Sequence, residues 1–479
     1  MSKKIGVVVA FVGLCALTLL LLNCGSSSSR PAGVLYVLTQ GTTDQGNPGE
    51  GNNVSSFAMD LDSGNLALVN SNASTCPTPA TITNTNPCGL PVDILLDPAG
   101  AAAFVLDQGA PPCPTCTPGI NSPIAPAIYP YTVNSDGSLS APGTALTWIT
   151  NTYSDTALAM VRDAAGQFLF VIDEGSFPAP GYPNPTPFAS CPHAPTAAYD
   201  VCPSISVFAM SGSSTPALAG GSPFYLSKIP TALSAITFTP LGSTTAQEFL
   251  FVTNKEDICS QNCIPPSPHN DNTVSVYNVS SSGTLTEQPN SPYAIAAIGP
   301  SSVLAVNTNS AGENNAGGLF VYVGQGIGQG AVFPFQVCTA SNLTNCPSAN
   351  YELVPLATCP QVSCDVPASS AGQNPVGMVA DPTNSFLYVV SEGSSQVFGF
   401  KINATAGTLT TLGPPNLPTG SQPVSMALHP SINNTGQFLY TSNSNSTNIT
   451  GFTLNTTNGS MSSPITVTAP AAPSGMAVH

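Results

Sequence analysis

The chain has 479 residues, a formal net charge of −16, and 6% charged against 42% hydrophobic residues. That length exceeds one ordinary core and calls for several domains, a repeat array or one large all-β unit. The scarcity of Glu, Lys and Arg excludes long solvent-facing helices, strand-length apolar clusters exclude disorder, and the acidic balance excludes nucleic acid as a partner.

Lys3 and Lys4 precede an apolar run from Ile5 to Leu22, followed by "LLNC" and "GSSSSR". This is the layout of an export signal. It resembles a bacterial lipoprotein signal, in which the cysteine after the cut is lipidated. The resemblance implies loss of a signal peptide at 1–23, lipidation of Cys24 and a tether over 24–32. Asn23 departs from the Gly, Ala or Ser usual before that cysteine. An uncleaved anchor is the alternative, because 18 apolar residues at about 1.5 Å each span roughly 27 Å. Both readings export the remainder and anchor it to a membrane, in the periplasm or at the surface of a bacterium. All 23 acidic residues follow Cys24, against five Lys or Arg, so the mature part carries −18.

From Val34 onward the chain repeats itself. One phrase occurs as "PVDILLDP" from Pro91, "TALAMVRD" from Thr156, "TALSAITFTP" from Thr231, "PSSVLAVN" from Pro300, "PVGMVADP" from Pro375, "PVSMALHP" from Pro423 and "PSGMAVH" from Pro473. A second runs from "VLYVLTQG" at Val34 to "FLYTSNSN" at Phe438, also in seven copies. Its aromatic and β-branched residues ending in Gly or Asn read as a strand closing into a turn. A third phrase follows each, as in "QVFGFKIN" from Gln396, with the alternation of a half-buried strand. A weaker fourth, "GSL", "GTL" or "GSM", comes after a turn. Each module is thus a meander of strands a, b, c and d. Seven such modules predict an all-β, seven-bladed β-propeller of four-stranded antiparallel blades over 33–479. The first module lacks an a strand and the last phrase is a spare one, so the C-terminal strand is expected to complete blade 1.

The phrase "FLYVVSEGSSQVFGFKI" resembles the YVTN repeat and the lactonase-type seven-bladed propellers, and the likeness extends over nearly the whole chain from Val34. That resemblance implies a hydrolase opening sugar lactones, phosphorylated ones included. The family's His- and Arg-containing motifs have no match here, so no catalytic residue carries over. Four Lys or Arg inside the ring make a phosphate pocket hard to build, which leaves an unphosphorylated lactone.

Twelve cysteines remain after Cys15 and Cys24, in six close pairs: Cys76/Cys88, Cys113/Cys116, Cys191/Cys202, Cys259/Cys263, Cys338/Cys346 and Cys359/Cys364. In an exported chain these read as local disulfides. Zinc at "CPTC" would need a second pair of ligands, and no second CxxC exists. Five of the six pairs fall in long b–c or d–a loops, which a propeller places on one face; only Cys338/Cys346 sits in a c–d connection. A stapled crown over blades 1 to 4 suits a glycan, peptide or protein ligand, with tolerated drift in loop length as the alternative. The mature protein is expected to be a monomer.

Carboxylates gather at the ends of the b strands on that face: Asp107, Asp173, Glu174, Glu256, Asp257 and Glu392. Converging acids could hold Ca²⁺ or act as an acid–base pair; solvated turn residues are the plainer reading, since no compact D-x-D-x-D-G spacing occurs. No resident cofactor is expected otherwise. His193 and His269 lie in insertions of neighbouring blades and could meet, whereas His429 and His479 share one register at the far end of strand a and read as structural. Two functions remain: a lipid-anchored binding scaffold using the stapled face, or a lactonase-like hydrolase.

Overall fold

The computed structural model describes residues 31, 33–40, 53–74, 90–109, 126–147, 157–175, 202–210, 216–239, 245–255, 272–308, 318–328, 330–339, 346, 351–356, 372–430, 437–462 and 464–479. All the described regular structure is strand, arranged as seven antiparallel sheets in a ring. The expected signal, Cys24 and the tether to residue 30 lie outside the described residues.

The b strands are buried over most of their length, and Ala102–Asp107, Phe168–Asp173 and Phe386–Ser391 are buried at every position. The cause is that both faces of a blade pack against another blade, so the b strands read as continuous apolar runs. Seven hydrophobic clusters fill the seven interfaces. In blade 6, Phe386, Tyr388 and Val390 pack against blade 7, while Leu387 and Val389 pack against blade 5. Burying each such side chain contributes roughly 1.5–3 kcal/mol, so the interfaces, not the isolated sheets, hold the ring.

Strand a lines the centre, running in blades 1 to 7 as Ala472–Val478, Pro91–Leu96, Ala157–Arg162, Ile229–Phe238, Pro300–Asn307, Pro375–Ala380 and Pro423–His429. Consecutive a strands touch all the way round, and those of blades 7 and 1 close the circle. Every a strand has a register irregularity just after its entry, for example between Pro91 and Asp93. Such bulges sharpen the local twist. Side chains tie neighbours here: Ser474 donates to the Pro91 carbonyl at 3.0 Å, the Met160 amide donates to Asp93 Oδ2 at 2.9 Å, and the Ala305 amide donates to Ser234 Oγ at 3.0 Å.

The expected closure is present. Ala472–Val478 pairs with Val34–Gln40, and the Val34 and His479 backbones exchange two hydrogen bonds. One blade departs from four full strands. In blade 2 the d segment pairs only through the bridges Val133–Leu139 and Ile128–Leu146. Among the cysteines, Cys338 and Cys346 are bonded as expected, and Cys202 is in a disulfide. Cys76, Cys88, Cys113, Cys116, Cys191, Cys259, Cys263, Cys359 and Cys364 lie outside the described residues.

Candidate functional site

Strand register builds a ring of polar side chains where the b strands end. Thr39, Asp107, Asp173, Asn254, Gln325, Ser391 and Asn443 each pair with the residue just before the bulge in strand a of their own blade. Asp107 and Asp173 are therefore equivalent residues in adjacent blades, both only 1% exposed. Each accepts the amide two residues on, from Gly109 and from Gly175, at 2.8 Å. These glycines have φ of 83° and 76°, and the Asp-x-Gly sequence makes the turn a local product. Burial pushes the Asp107 carboxyl up to about 7, against the opposing pull of the Gly109 amide.

The other acids of this face are engaged in pairs. Glu174 accepts from Lys255 of blade 4 at 2.7 Å, and both side chains are solvent-accessible, so the pair contributes little to stability. Glu392 accepts from Asn374 at 2.6 Å and from Gln422 of blade 7 at 3.5 Å. Among the described residues no three His, Cys, Asp or Glu gather as a metal centre. Glu256, Asp257, His193 and His269 lie outside the described residues.

At the far end of strand a, one register position carries His479, Asp97, Asp163, Asp381 and His429 in blades 1, 2, 3, 6 and 7. The aspartates cap the a–b turn: Asp97, Asp163 and Asp381 accept the amides of Ala102, Phe168 and Phe386 at 2.7, 2.8 and 2.7 Å. His429, in the same place, is fully buried. Burial and the neighbouring His479 push its pKa below the ordinary histidine value. A small cavity of about 350 Å³ opens on this face at blades 1, 2 and 3, lined by Asp97, Arg162 and His479 among others.

A cleft with a volume of about 610 Å³ opens on this same face. It runs over the rim of blade 4 from blade 3 to blade 5, lined by Gln167, Thr237, Gln247, Asn278, Ser280, Ser281, Thr286 and Gln288, the rings of Phe168 and Tyr351, and one carboxyl, Glu248. Strand period places that carboxyl. Glu248 is the second residue of Gln247–Lys255, and Leu250 and Val252, two and four residues on, pack into the blade 3 interface. Glu248 thus faces blade 3, where Asp163 ends strand a. Burial first, and the Asp163 charge second, push Glu248 up to about 8. Glu248 Oε1 and Asp163 Oδ2 are both buried and accept no hydrogen bond from the described residues. Burial also raises the Asp163 carboxyl, which is 1% exposed, while the Phe168 and Gln167 amides and Arg162 pull it back.

Nothing in the sequence marks Glu248, which opens an ordinary strand phrase, "QEFLFV". Asp163 reads as a turn acid like Asp97. Only the packing of one blade on the next lets the Asp163 charge act on Glu248.

The fold and cleft define a seven-bladed β-propeller with an acidic, amide- and hydroxyl-lined groove. Its solved structural neighbours include a provisionally described 6-phosphogluconolactonase from Bacteroides uniformis, with TM-score 0.57 and 12% identity, covering 94% of this chain and 100% of that one. A similarly described Bacteroides fragilis protein has TM-score 0.55 and 13% identity, covering 95% and 99%. The periplasmic gluconolactonase of Pseudomonas aeruginosa has TM-score 0.54 and 13% identity, covering 93% and 98%. Neither a family model nor a curated protein matches the chain. At these identities the likeness establishes a shared fold.

Proposed function

We propose that this chain is an exported, membrane-anchored propeller that binds a hydroxyl-rich ligand of the carbohydrate class in the cleft over the rim of blade 4. The observation that carries the reading is the cleft's lining: neutral amides and hydroxyls, two aromatic rings and a single carboxyl, with no Lys or Arg among the lining residues. Side-chain amides and hydroxyls both donate and accept, as a polyol requires, and a ring supplies an apolar face. A phosphorylated ligand would lack a cationic partner there.

A lactonase-like activity on an unphosphorylated sugar lactone is the second reading. It draws on the lactonase neighbours and on a carboxyl that holds its proton near neutral pH. In that reading water adds to the lactone carbonyl and releases its proton to solvent, the ring C–O bond breaks, and Glu248 gives its proton to the leaving oxygen.

Calorimetry with a panel of neutral oligosaccharides and aldonolactones tests the binding reading, with proton release on the lactones followed in parallel. Saccharide binding that weakens in Glu248→Gln supports the cleft; binding unchanged in that variant places the site elsewhere. Turnover lost in the same variant would favour the hydrolase. Membrane attachment is tested by Cys24→Ser, which should release the protein and abolish lipid labelling.

A further inference from the structure

The cleft carries a departure from the repeat that the fold does not call for. Where strand c turns into strand d, one amide returns to the carbonyl of a residue just after strand c. That amide belongs to Gly64, Gly137, Gly283, Gly407 and Gly459 in blades 1, 2, 4, 6 and 7, with bonds of 2.7–3.0 Å; the turn of blade 3 lies outside the described residues. All five glycines have φ between 66° and 85°, the left-handed region that disfavours any residue with a Cβ. A Cβ on them would also come within 2.3–2.9 Å of the preceding blade, at Phe438, Val34, Phe168, Phe320 and Phe386 in turn.

In blade 5 the same bond, from the Tyr351 amide to the Cys338 carbonyl at 2.9 Å, belongs to a tyrosine with φ of 58°. The Cys338 amide donates to the Glu352 carbonyl at 2.9 Å, as the Ser280 amide does to the Thr284 carbonyl at 3.0 Å, so the register is that of the other blades. Cys338, fully buried, is bonded to Cys346 within this connection. The Tyr351 ring packs on Phe249 of blade 4 with centroids 4.4 Å apart, and its hydroxyl donates to Gln247 Oε1 at 2.9 Å. Joining two blades does not by itself call for this residue, because the joint of blades 3 and 4 closes with Gly283 packed on Phe168. What sets blade 5 apart is that its turn residue lines the cleft, with Gln247 and Glu248. Of the two rings there, Phe168 is 5% exposed and covered by Gly283, whereas Tyr351 is half-buried and has a face to offer.

We infer that Tyr351 is the residue on which a saccharide ring stacks in the cleft, and that the Cys338–Cys346 disulfide holds it in place. The inference rests on the carbohydrate reading and names its specificity determinant. Stacking takes the C–H face of a pyranose, while the amides and hydroxyls of the cleft meet the hydroxyls at its edge. A strained backbone conformation persists where its surroundings over-determine it, and here a cross-linked turn, a packed ring and a hydroxyl bond do so. The ring is thereby ordered before the ligand arrives, and less freedom is lost on binding.

The test is calorimetry of the full mature chain with a neutral tetrasaccharide of β-linked glucose units. Tyr351→Gly, which restores the residue that five blades carry, should lower affinity about tenfold or more while the cooperative thermal transition stays in place. Tyr351→Asn, which also tolerates the left-handed region, should behave alike. Tyr351→Phe keeps the stacking face and should bind within about threefold of the parent. Cys338→Ala combined with Cys346→Ala should weaken binding about fivefold in the parent and no further in Tyr351→Gly, since both changes then remove one feature. Unchanged affinity in Tyr351→Gly, with Glu248→Gln still weakening it, would overturn the inference and leave the cleft reading standing. Additive losses from the cysteine and tyrosine changes would refute the positioning role of the disulfide. No binding of this or any other neutral oligosaccharide by the parent would sink both the inference and the carbohydrate reading.

Discussion

Tyr440 and Gly64 stand 376 residues apart, and the Tyr440 hydroxyl donates to the Gly64 carbonyl at 2.8 Å. The bond crosses from strand b of blade 7 to the c–d turn of blade 1, over the joint where the two ends of the chain meet. The same latch recurs from Tyr36 to Gly137, Tyr322 to Gly407 and Tyr388 to Gly459, at 3.0, 2.9 and 2.8 Å. Blades 2, 3 and 4 carry Phe104, Phe170 and Phe251 at this position and have no hydroxyl to offer.

Tyr440→Phe should lower stability by about 1 kcal/mol, the worth of one buried hydrogen bond. Gly64→Ala should cost more, because Gly64 has φ of 73° and an added Cβ would lie 2.6 Å from Phe438 Cε1. Denaturant midpoints at an unchanged slope give both values. A Gly64→Ala variant as stable as the parent would contradict the latch.

Removal of 473–479 should open the ring. That segment supplies the pairs Val37–Met476 and Leu35–Val478 and buries Met476 in the interface of blades 7 and 1. The truncated chain should lose its cooperative thermal transition or show it at a much lower temperature. An unchanged transition would show that blade 1 is complete without it.

Acid should weaken the same joint through His429. Its native pKa lies below the ordinary 6.5, owing to burial and to His479. The unfolded chain takes up a proton that the native ring refuses, so stability falls as pH drops below about 6.5, by at most ~1.4 kcal/mol per pH unit for one proton. Stability curves between pH 7 and 5 should flatten in His429→Leu. An equally steep loss in that variant would assign the effect to other groups.

Asp107 gives the opposite sign. Its carboxyl titrates near 7 in the ring against 3.8 as the ordinary value, so the native state holds the proton more tightly and stability declines as pH rises between these values. Asp107→Asn stays neutral and keeps an acceptor for the Gly109 amide. It should be more stable than the parent above pH 7 and equal to it near pH 4. A destabilised variant at pH 8 would mean that the ionised carboxylate has a partner the ring depends on.

The repeat made the fold legible from sequence, because every b strand is buried on two sides and its seven copies share one apolar signature. Closure followed from "PSGMAVH", an a phrase with no module of its own. The d strands were less legible: polar and short at the rim, they carry little periodicity, and that of blade 2 is reduced to bridges around Leu139 and Leu146. The acids at the b-strand ends read as a converging site or, more plainly, as solvated turn residues; Asp107 and Asp173 do cap turns, marked by the Gly two residues on, but are buried there. Glu248 and Asp163 were illegible because the action of one on the other depends on which side of one strand meets the preceding blade, 85 residues from one to the other.

The most direct measurement is the titration of Glu248 itself, followed by ¹³C NMR of the side-chain carboxyl in the ligand-free protein. Burial beside Asp163 predicts a midpoint near 8, falling towards the ordinary value of 4.5 in Asp163→Asn as the like charge is removed, without reaching it while burial persists. A midpoint near 4.5 in the parent protein would contradict the protonated Glu248 carboxyl on which the cleft's proposed chemistry stands.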